Sequence, residues 1–492
     1  MGSQEPIERS SGKDSTRREF SPRRWTGIVL TPLAGLVAFF APLDLDSRAA
    51  CLLAIFATVV VAWITEILPI EVTSLLIAPA LVATGITDAK SAYAPYADPL
   101  LFLFVGGFFL ARAMNRHGLD SRLAYALVRL VRGEPWRCQA ALMCAGLLLS
   151  MWISNTAAAA ILVPILLKLF DSNRADPHSD PRALSQRLLA MAYTCSIGGM
   201  GTLIGSPPNA ITARLLQSTG IDFGFIEWLM IGLPTAVILA VCVYPVAIGG
   251  RDTNLAQRAS LPKESSRAKW SKGEQCTAIA FILAILGWIV PSLLKAMHLP
   301  IGTYLVRVVP SGSIALFASA ILFFLRDERG ERVLPWNDAI RIDWGIIMLF
   351  GGGIALGTQI METGLAAKLG SRFVSATGVS DVWTLTALVV VFTVVFTEAC
   401  SNTAASNMLV PLVIAVAQDI GVSPVAPSIA VGLAASCAFM MPIATGPNAV
   451  VFGSGRVQLT TMIKRGFMLN IVAIIVVFSA VRILCPLFGW MD

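Results

Sequence analysis

Apolar runs of roughly 20 residues recur from residue 25 almost to the end of the chain, divided by short polar, charged or Gly/Pro-rich stretches. A helix rises ~1.5 Å per residue, so runs of that length match the ~30 Å hydrocarbon core of a bilayer. The pattern predicts spans at 25–43, 48–68, 72–86 and 100–113, a fifth from about 188 that is broken at 198–209, and a sixth at 226–248. Further spans follow at 276–294, 311–325 and 344–365, then one from 428 broken at 441–450, and a last at 468–487. Residues 138–170 and 382–416 depart from the pattern. Their apolar arms, about ten to sixteen residues each, flank a polar tip and are too short to span comfortably, which predicts re-entrant hairpins. The stretch 121–137, SRLAYALVRLVRGEPWR, interleaves Arg122, Arg129 and Arg132 with Leu and Val. It reads as an amphipathic helix along the interface, and an interfacial stretch with Lys368 and Arg372 takes the same place later in the chain.

The order of elements repeats. One hairpin tip reads SNTAAAAILVPI (154–165) and the other SNTAASNMLVPL (401–412), with Pro164 and Pro411 ten residues after the serine and a hydroxyl, Ser150 or Thr397, four residues before it. The breaks also match: GGMGTLIGSPPN (198–209) against MPIATGPNAV (441–450). LFVGGFFLARAMNRHGL (103–119) likewise pairs with LFGGGIALGTQIMETGL (349–365). Five spans per half after the first helix would make the second copy enter the membrane from the opposite side, as in inverted-topology repeats. The expected fold is therefore an all-α polytopic membrane protein of about eleven transmembrane helices and two re-entrant helical hairpins.

Composition agrees: 56% of the 492 residues are hydrophobic and only 14% charged. The formal net charge of +7 does not point to nucleic acid, because the basic residues gather in the N-terminal tail, in 112–137, 251–272 and 326–332, and at Lys464-Arg465. Loops 87–98 and 217–224 are weakly charged, so the bias predicts a cytoplasmic N-terminus and an external C-terminus, with a bacterial plasma membrane as the expected location. Residues 1–24 are polar, with Arg17, Arg18, Arg23 and Arg24 ahead of the first run and no A-x-A site, so no signal peptide is expected. The nine cysteines lie mostly in apolar runs without C-x-x-C spacing, as core packing residues do. The three histidines are scattered, and GMGTLIG lacks the strand context of a dinucleotide fingerprint, so neither a zinc site nor a hydrolase finds support.

A Ser-Asn-Thr run at a helix start can cap orphan N–H groups, and that N-terminus is an anion site. Two inward tips beside two broken helices would gather four N-termini, each worth roughly half a positive charge. Asn155 and Asn402 add amides, and Thr156 and Thr403 add hydroxyls. The same breaks free backbone carbonyls, and with Ser, Thr and Asn oxygens these are hard ligands for a small cation. The combination predicts coupled anion–cation transport. Glu398 is the one acid beside a tip; its counterpart is Met151, so it cannot be a symmetric ligand, and a hydrogen-bonding role is expected. Glu66, in WITEILPIEVTSLL (63–76), is expected to be structural.

Both Ser-Asn-Thr motifs, WITEILPIEVTSLL, GTLIGSPPN (201–209) and PIATGPNAVVFGSG (442–455) make the chain resemble the divalent anion/sodium symporter family, carriers of dicarboxylates, citrate or sulfate. The resemblance covers nearly everything after the tail. It implies a homodimer working as an elevator, with a scaffold (25–135 and 275–379), a transport domain (136–250 and 380–492), a cytoplasmic tail (1–24) and a cytoplasmic loop (251–274). Carried over residue by residue, it implies one sodium site at Ser150, Ser154, Asn155 and Gly205, and another at Thr397, Cys400, Asn402 and Ala444. Substrate contacts are implied at Ser154, Asn155, Thr156, Ser206, Pro207, Ser401, Asn402, Thr403, Thr445 and Gly446. Gly446 replaces a proline common in the family, which suggests a looser loop. The leading expectation is sodium-coupled import of C4-dicarboxylates of the succinate, malate or fumarate type. The alternatives are a sodium-independent dicarboxylate exchanger of the same fold or a sulfate or citrate carrier. The absence of Lys and Arg from both motifs favours coupling over exchange, and paired inverted hairpins suit alternating access better than a channel.

Overall fold

The computed structural model describes residues 22–131, 135–170, 181–248 and 269–490. Residues 1–21, 171–180 and most of 251–274 lie outside that description, as does Arg132. The first half runs α1 (Pro22–Phe39), α2 (Ser47–Thr65), α3 (Ile70–Leu75), α4 (Ile77–Ala83), α5 (Ala89–Tyr93), α6 (Pro99–His117), α7 (Leu119–Leu130), α8 (Pro135–Ser150), α9 (Asn155–Phe170), α10 (Pro181–Gly198), α11 (Pro207–Ser218) and α12 (Phe225–Ile248). The second runs α13 (Lys272–Ala296), α14 (Pro300–Val308), α15 (Ser311–Phe324), α16 (Trp336–Ala339), α17 (Trp344–Glu362), α18 (Leu365–Thr377), α19 (Val382–Thr397), α20 (Asn402–Asp419), α21 (Val425–Ala434), α22 (Gly446–Gly453) and α23 (Leu459–Leu487).

Both hairpins form where the polar tips fall: α8 and α9 are 16 residues each, and α19 and α20 are 16 and 18. Each second arm starts on a serine cap, Ser154 Oγ accepting from Ala157 N and Ser401 Oγ from Ala404 N, both at 3.2 Å. Such a cap satisfies one of the N–H groups a helix start leaves orphaned. The arms differ in exposure, and α19 turns Val391, Phe392 and Val395 outward. The second arm, α20, is buried along most of its length, whereas α12, α13 and α23 turn Ile, Val and Phe side chains outward, as a lipid-facing surface requires.

Six helices among the described residues are long and apolar enough to cross a membrane, or up to eight if each bent pair is one span. The other expected spans take shorter or bent forms. The third is split into α3 and α4, of 6 and 7 residues, with the Tyr96 hydroxyl bonded to Ser74 O at 2.6 Å near the junction. Before α15 comes α14, unanticipated from the pattern and bent 71° from it. The glycine pair of α6 allows close packing as expected: a Cβ on Gly106 would lie 2.5 Å from the Ala315 carbonyl carbon of α15.

The two amphipathic segments form as α7 and α18. The first lies against α8, and Arg122 makes a two-pronged contact with Glu274 of α13 at 2.6 and 3.0 Å. The second lies against α20, and Lys368 bonds Asp44 O between α1 and α2. Each amphipathic helix therefore joins a hairpin to a segment outside it.

Candidate functional site

At each tip, a hydroxyl at the end of the first arm meets the amide that starts the second. Ser150 Oγ donates to Asn155 Oδ1 at 2.9 Å; Thr397 Oγ1 lies 2.9 Å from Asn402 Oδ1 and 2.8 Å from Ala435 O, so its one hydrogen serves two acceptors. Ser150 and Thr397 are fully buried. Oxygen therefore concentrates behind each tip, in matching arrangements.

The broken helices supply the opposite wall. The first unwinds after Gly198 through a 3-10 turn at Gly199–Gly201 and restarts at Pro207, where the missing proline N–H costs nothing. The second unwinds from Ala435 and restarts at Gly446, with Thr445 Oγ1 capping Asn448 N at 3.3 Å. That second break begins earlier than the sequence suggested, and Glu398 takes up N–H groups that it frees. Its Oε1 accepts from Phe439 N (2.7 Å), Met440 N (2.9 Å) and Asn470 Nδ2 (2.8 Å), and its Oε2 from Met441 N (3.1 Å). The carboxylate satisfies N–H groups that an unwound helix would leave bare inside the membrane. In the first copy, where Met151 replaces Glu398, the Thr202 hydroxyl performs the stitch, bonding Met151 O and accepting from Gly205 N. The expected hydrogen-bonding role of Glu398 is thus what the structure places there. Glu66 ends α2 in a left-handed conformation, φ 50°.

The copies interlock. Hairpin arm α9 packs on α22 of the other copy and α20 packs on α11, while Ser206 Oγ lies 3.4 Å from Ser436 Oγ. All four helix starts consequently border one cavity of about 530 Å³. Its wall includes Ser154, Asn155, Thr156, Gly205, Ser206, Pro207, Asn402, Thr403, Ala444, Thr445 and Gly446. Ser150, Thr397, Cys400 and Ser401 stand behind or beside the tips, outside that wall. Among the described residues, no Lys or Arg lines the cavity. Gly446 is not a loose point: a Cβ there would lie 1.7 Å from Thr156 Oγ1, so the missing side chain lets the two copies approach.

Sequence reasoning missed part of the wall. Phe104, Gly107 and Phe108 come from α6, Trp152 from the first tip, and Ile346 with Asp343 from the start of α17. Trp152 stacks on Trp288 of α13 at 6.1 Å and 10°. Asp343 is exposed at the rim and caps Gly345 N at 3.1 Å. Within an apolar run Phe104 and Phe108 look like any other span residues, so nothing local marked them.

Paired polar hairpin tips and interrupted helices closing on a single cavity, within an all-helical membrane body, define the architecture of a multi-pass secondary transporter. Residues 23–491 match the family described as the sodium:sulfate symporter transmembrane region, and the chain belongs to that family of divalent anion/sodium symporters. It is a family of transporters and not of enzymes. The chain is 33% identical to the sodium-dependent dicarboxylate transporter SdcS of Staphylococcus saprophyticus, over 95% of this chain and 93% of the relative. It is also 33% identical to SdcS of Staphylococcus aureus, over 96% and 94%. The solved YdaH transporter of Alcanivorax borkumensis superposes with a TM-score of 0.51 at 15% identity, covering 95% of this chain and 98% of that one, a likeness of fold alone.

Proposed function

We propose that this protein imports C4-dicarboxylates coupled to sodium. The observation that carries the reading is the cavity with four helix N-termini, Asn and Thr donors and no basic side chain on its wall. Helix N-termini and neutral donors attract a carboxylate without a fixed countercharge. A dianion held that way still needs its charge balanced, and two oxygen clusters behind the tips offer places for cations. The first comprises Ser150, Ser154, Asn155 and the Gly205 carbonyl, the second Thr397, Cys400, Asn402 and the Ala444 carbonyl. The relatives' names support both sodium and a dicarboxylate.

The body comprising 136–250 and 380–492 carries the tips and breaks, and moves against a scaffold of 25–135 and 275–379 in a homodimer. Moving a shielded site avoids exposing a charged substrate to lipid, which is costly. The N-terminus faces the cytoplasm and the C-terminus the outside. Uptake of radiolabelled succinate, citrate and sulfate into proteoliposomes, with sodium or choline outside, tests this. The expected result is succinate uptake that needs sodium and rises sigmoidally with it; equal uptake in both buffers would make the protein an exchanger.

A further inference from the structure

Each unwound stretch is closed by an asparagine that stands outside the wall of that cavity. In the first copy Asn209 Nδ2 donates to Gly199 O at 2.8 Å and to Thr202 O at 2.7 Å. In the second, Asn448 Nδ2 donates to Ala438 O at 3.1 Å and to Met441 O at 3.0 Å. The intervals are the same, ten and seven residues back. Both side chains are fully buried, and in both the Oδ1 has no partner. Each asparagine is the third residue of its half-helix, so its side chain reaches back over the break and pins two carbonyls of the unwound stretch, of which Thr202 O and Met441 O also accept from Gly205 N and Ala444 N. Inside a membrane such carbonyls must find partners. Neither amide oxygen takes part, so only the donors matter.

We infer that Asn209 and Asn448 are positioning residues for the two cation sites. They act through the backbone and do not touch the ion. The inference rests on the sodium-coupled reading above. In the first copy the route is short. A Cβ on Gly199 would lie 2.4 Å from Asn155 Oδ1 and 2.9 Å from Gly205 O, and one on Gly205 would lie 3.0 Å from Ser150 O. The oxygens assigned to the cation thus crowd the backbone that Asn209 holds. The amide occupies the Gly199 and Thr202 carbonyls, on the stretch against which the Gly205 carbonyl packs. Asn448 holds the stretch that ends at Ala444, whose start at Ala435 O is bonded by Thr397 and whose end lines the cavity with Asn402.

Asn209→Asp and Asn448→Asp keep the shape and set acceptors against two carbonyls. Asn209→Ser and Asn448→Ser shorten the side chain and serve if the acids do not fold. Purified full-length protein is titrated with sodium against a choline control, reading thermal stabilisation, and proteoliposome uptake is followed at rising sodium and at rising succinate. Each folded variant is expected to raise the sodium midpoint roughly ten-fold or more, the scale of one or two lost hydrogen bonds. Sigmoidality should fall, while the KM for succinate at saturating sodium changes by less than about three-fold. A lower melting temperature in choline with an unchanged sodium midpoint would overturn the inference, as would failure of all four variants to fold, because the asparagines would then serve the fold alone. If the unaltered protein shows no response to sodium, it is the sodium-coupled reading that fails.

Discussion

Hydroxyls on the two sides of each tip face different surroundings. Thr156 and Thr403 line the cavity, whereas Ser150 and Thr397 are buried against Asn155 and Asn402. Thr156→Ala and Thr403→Ala are expected to weaken succinate binding more than sodium binding, and Ser150→Ala and Thr397→Ala the reverse. A lost hydrogen bond to a charged partner costs about 1.5–3 kcal/mol, roughly ten- to a hundred-fold in affinity. Isothermal titration of both ligands checks this, and equal shifts in all four variants would refute the division. Glu398 poses a different residue-scale question, since four N–H groups converge on it. Glu398→Met should lower the melting temperature by several degrees. Adding Met441→Thr, which copies the Thr202 stitch of the first repeat, should recover part of that loss. No recovery would mean that the two stitches are not interchangeable.

Among elements, the contact between α6 and α15 is a close backbone approach with a clear sequence signal, at Gly106 against Ala315. Gly106→Val puts two extra methyl groups and a Cβ where backbone already sits. Overpacking of that kind costs about 1–3 kcal/mol, and more where the obstacle is backbone and cannot rotate away. Thermal melting in detergent should drop accordingly, while Gly107→Ala, with open space out to the Ile204 methyl at 4.0 Å, should be near neutral. Element boundaries moved where charges lay inside helices. The last helix starts at Leu459, ahead of the predicted 468, because Arg465 is tied to Val246 O at 3.1 Å within it. Likewise α10 starts at Pro181, with Arg187 buried over the Phe170 ring at 4.3 Å. Local hydropathy treats such charges as loop signals.

For the whole molecule, the cavity rim at Asp343 lies at the end of the bundle where Arg116 bonds Asp338. Two ion pairs sit at the other end of α6 and beyond it: Asp98 with Arg214, and Asp222 with Lys295. Both join a segment of the proposed scaffold to a segment of the proposed transport domain. If that domain moves as a body, these pairs must part in the alternate state. Cysteines at Asp98 and Arg214, bridged by a short thiol reagent on a background without native cysteines, are expected to stop uptake while sodium-dependent succinate binding persists. Full uptake with the bridge formed would mean that only the hairpin tips move.

By itself the sequence determined the membrane class, the two repeats, the hairpins and the polar residues of the tips and breaks. Those features are local: apolar run length, a capping triplet, a proline pair and their recurrence can be read without knowing what lies opposite. Tertiary structure decided which copy faces which. That Thr156 abuts Gly446, that Glu398 feeds the break forty residues on, and that Phe104 and Asp343 complete the wall all depend on segments distant in the chain. Such contacts follow from how buried backbone groups find partners in a medium without water, and a one-dimensional pattern holds no record of those partners.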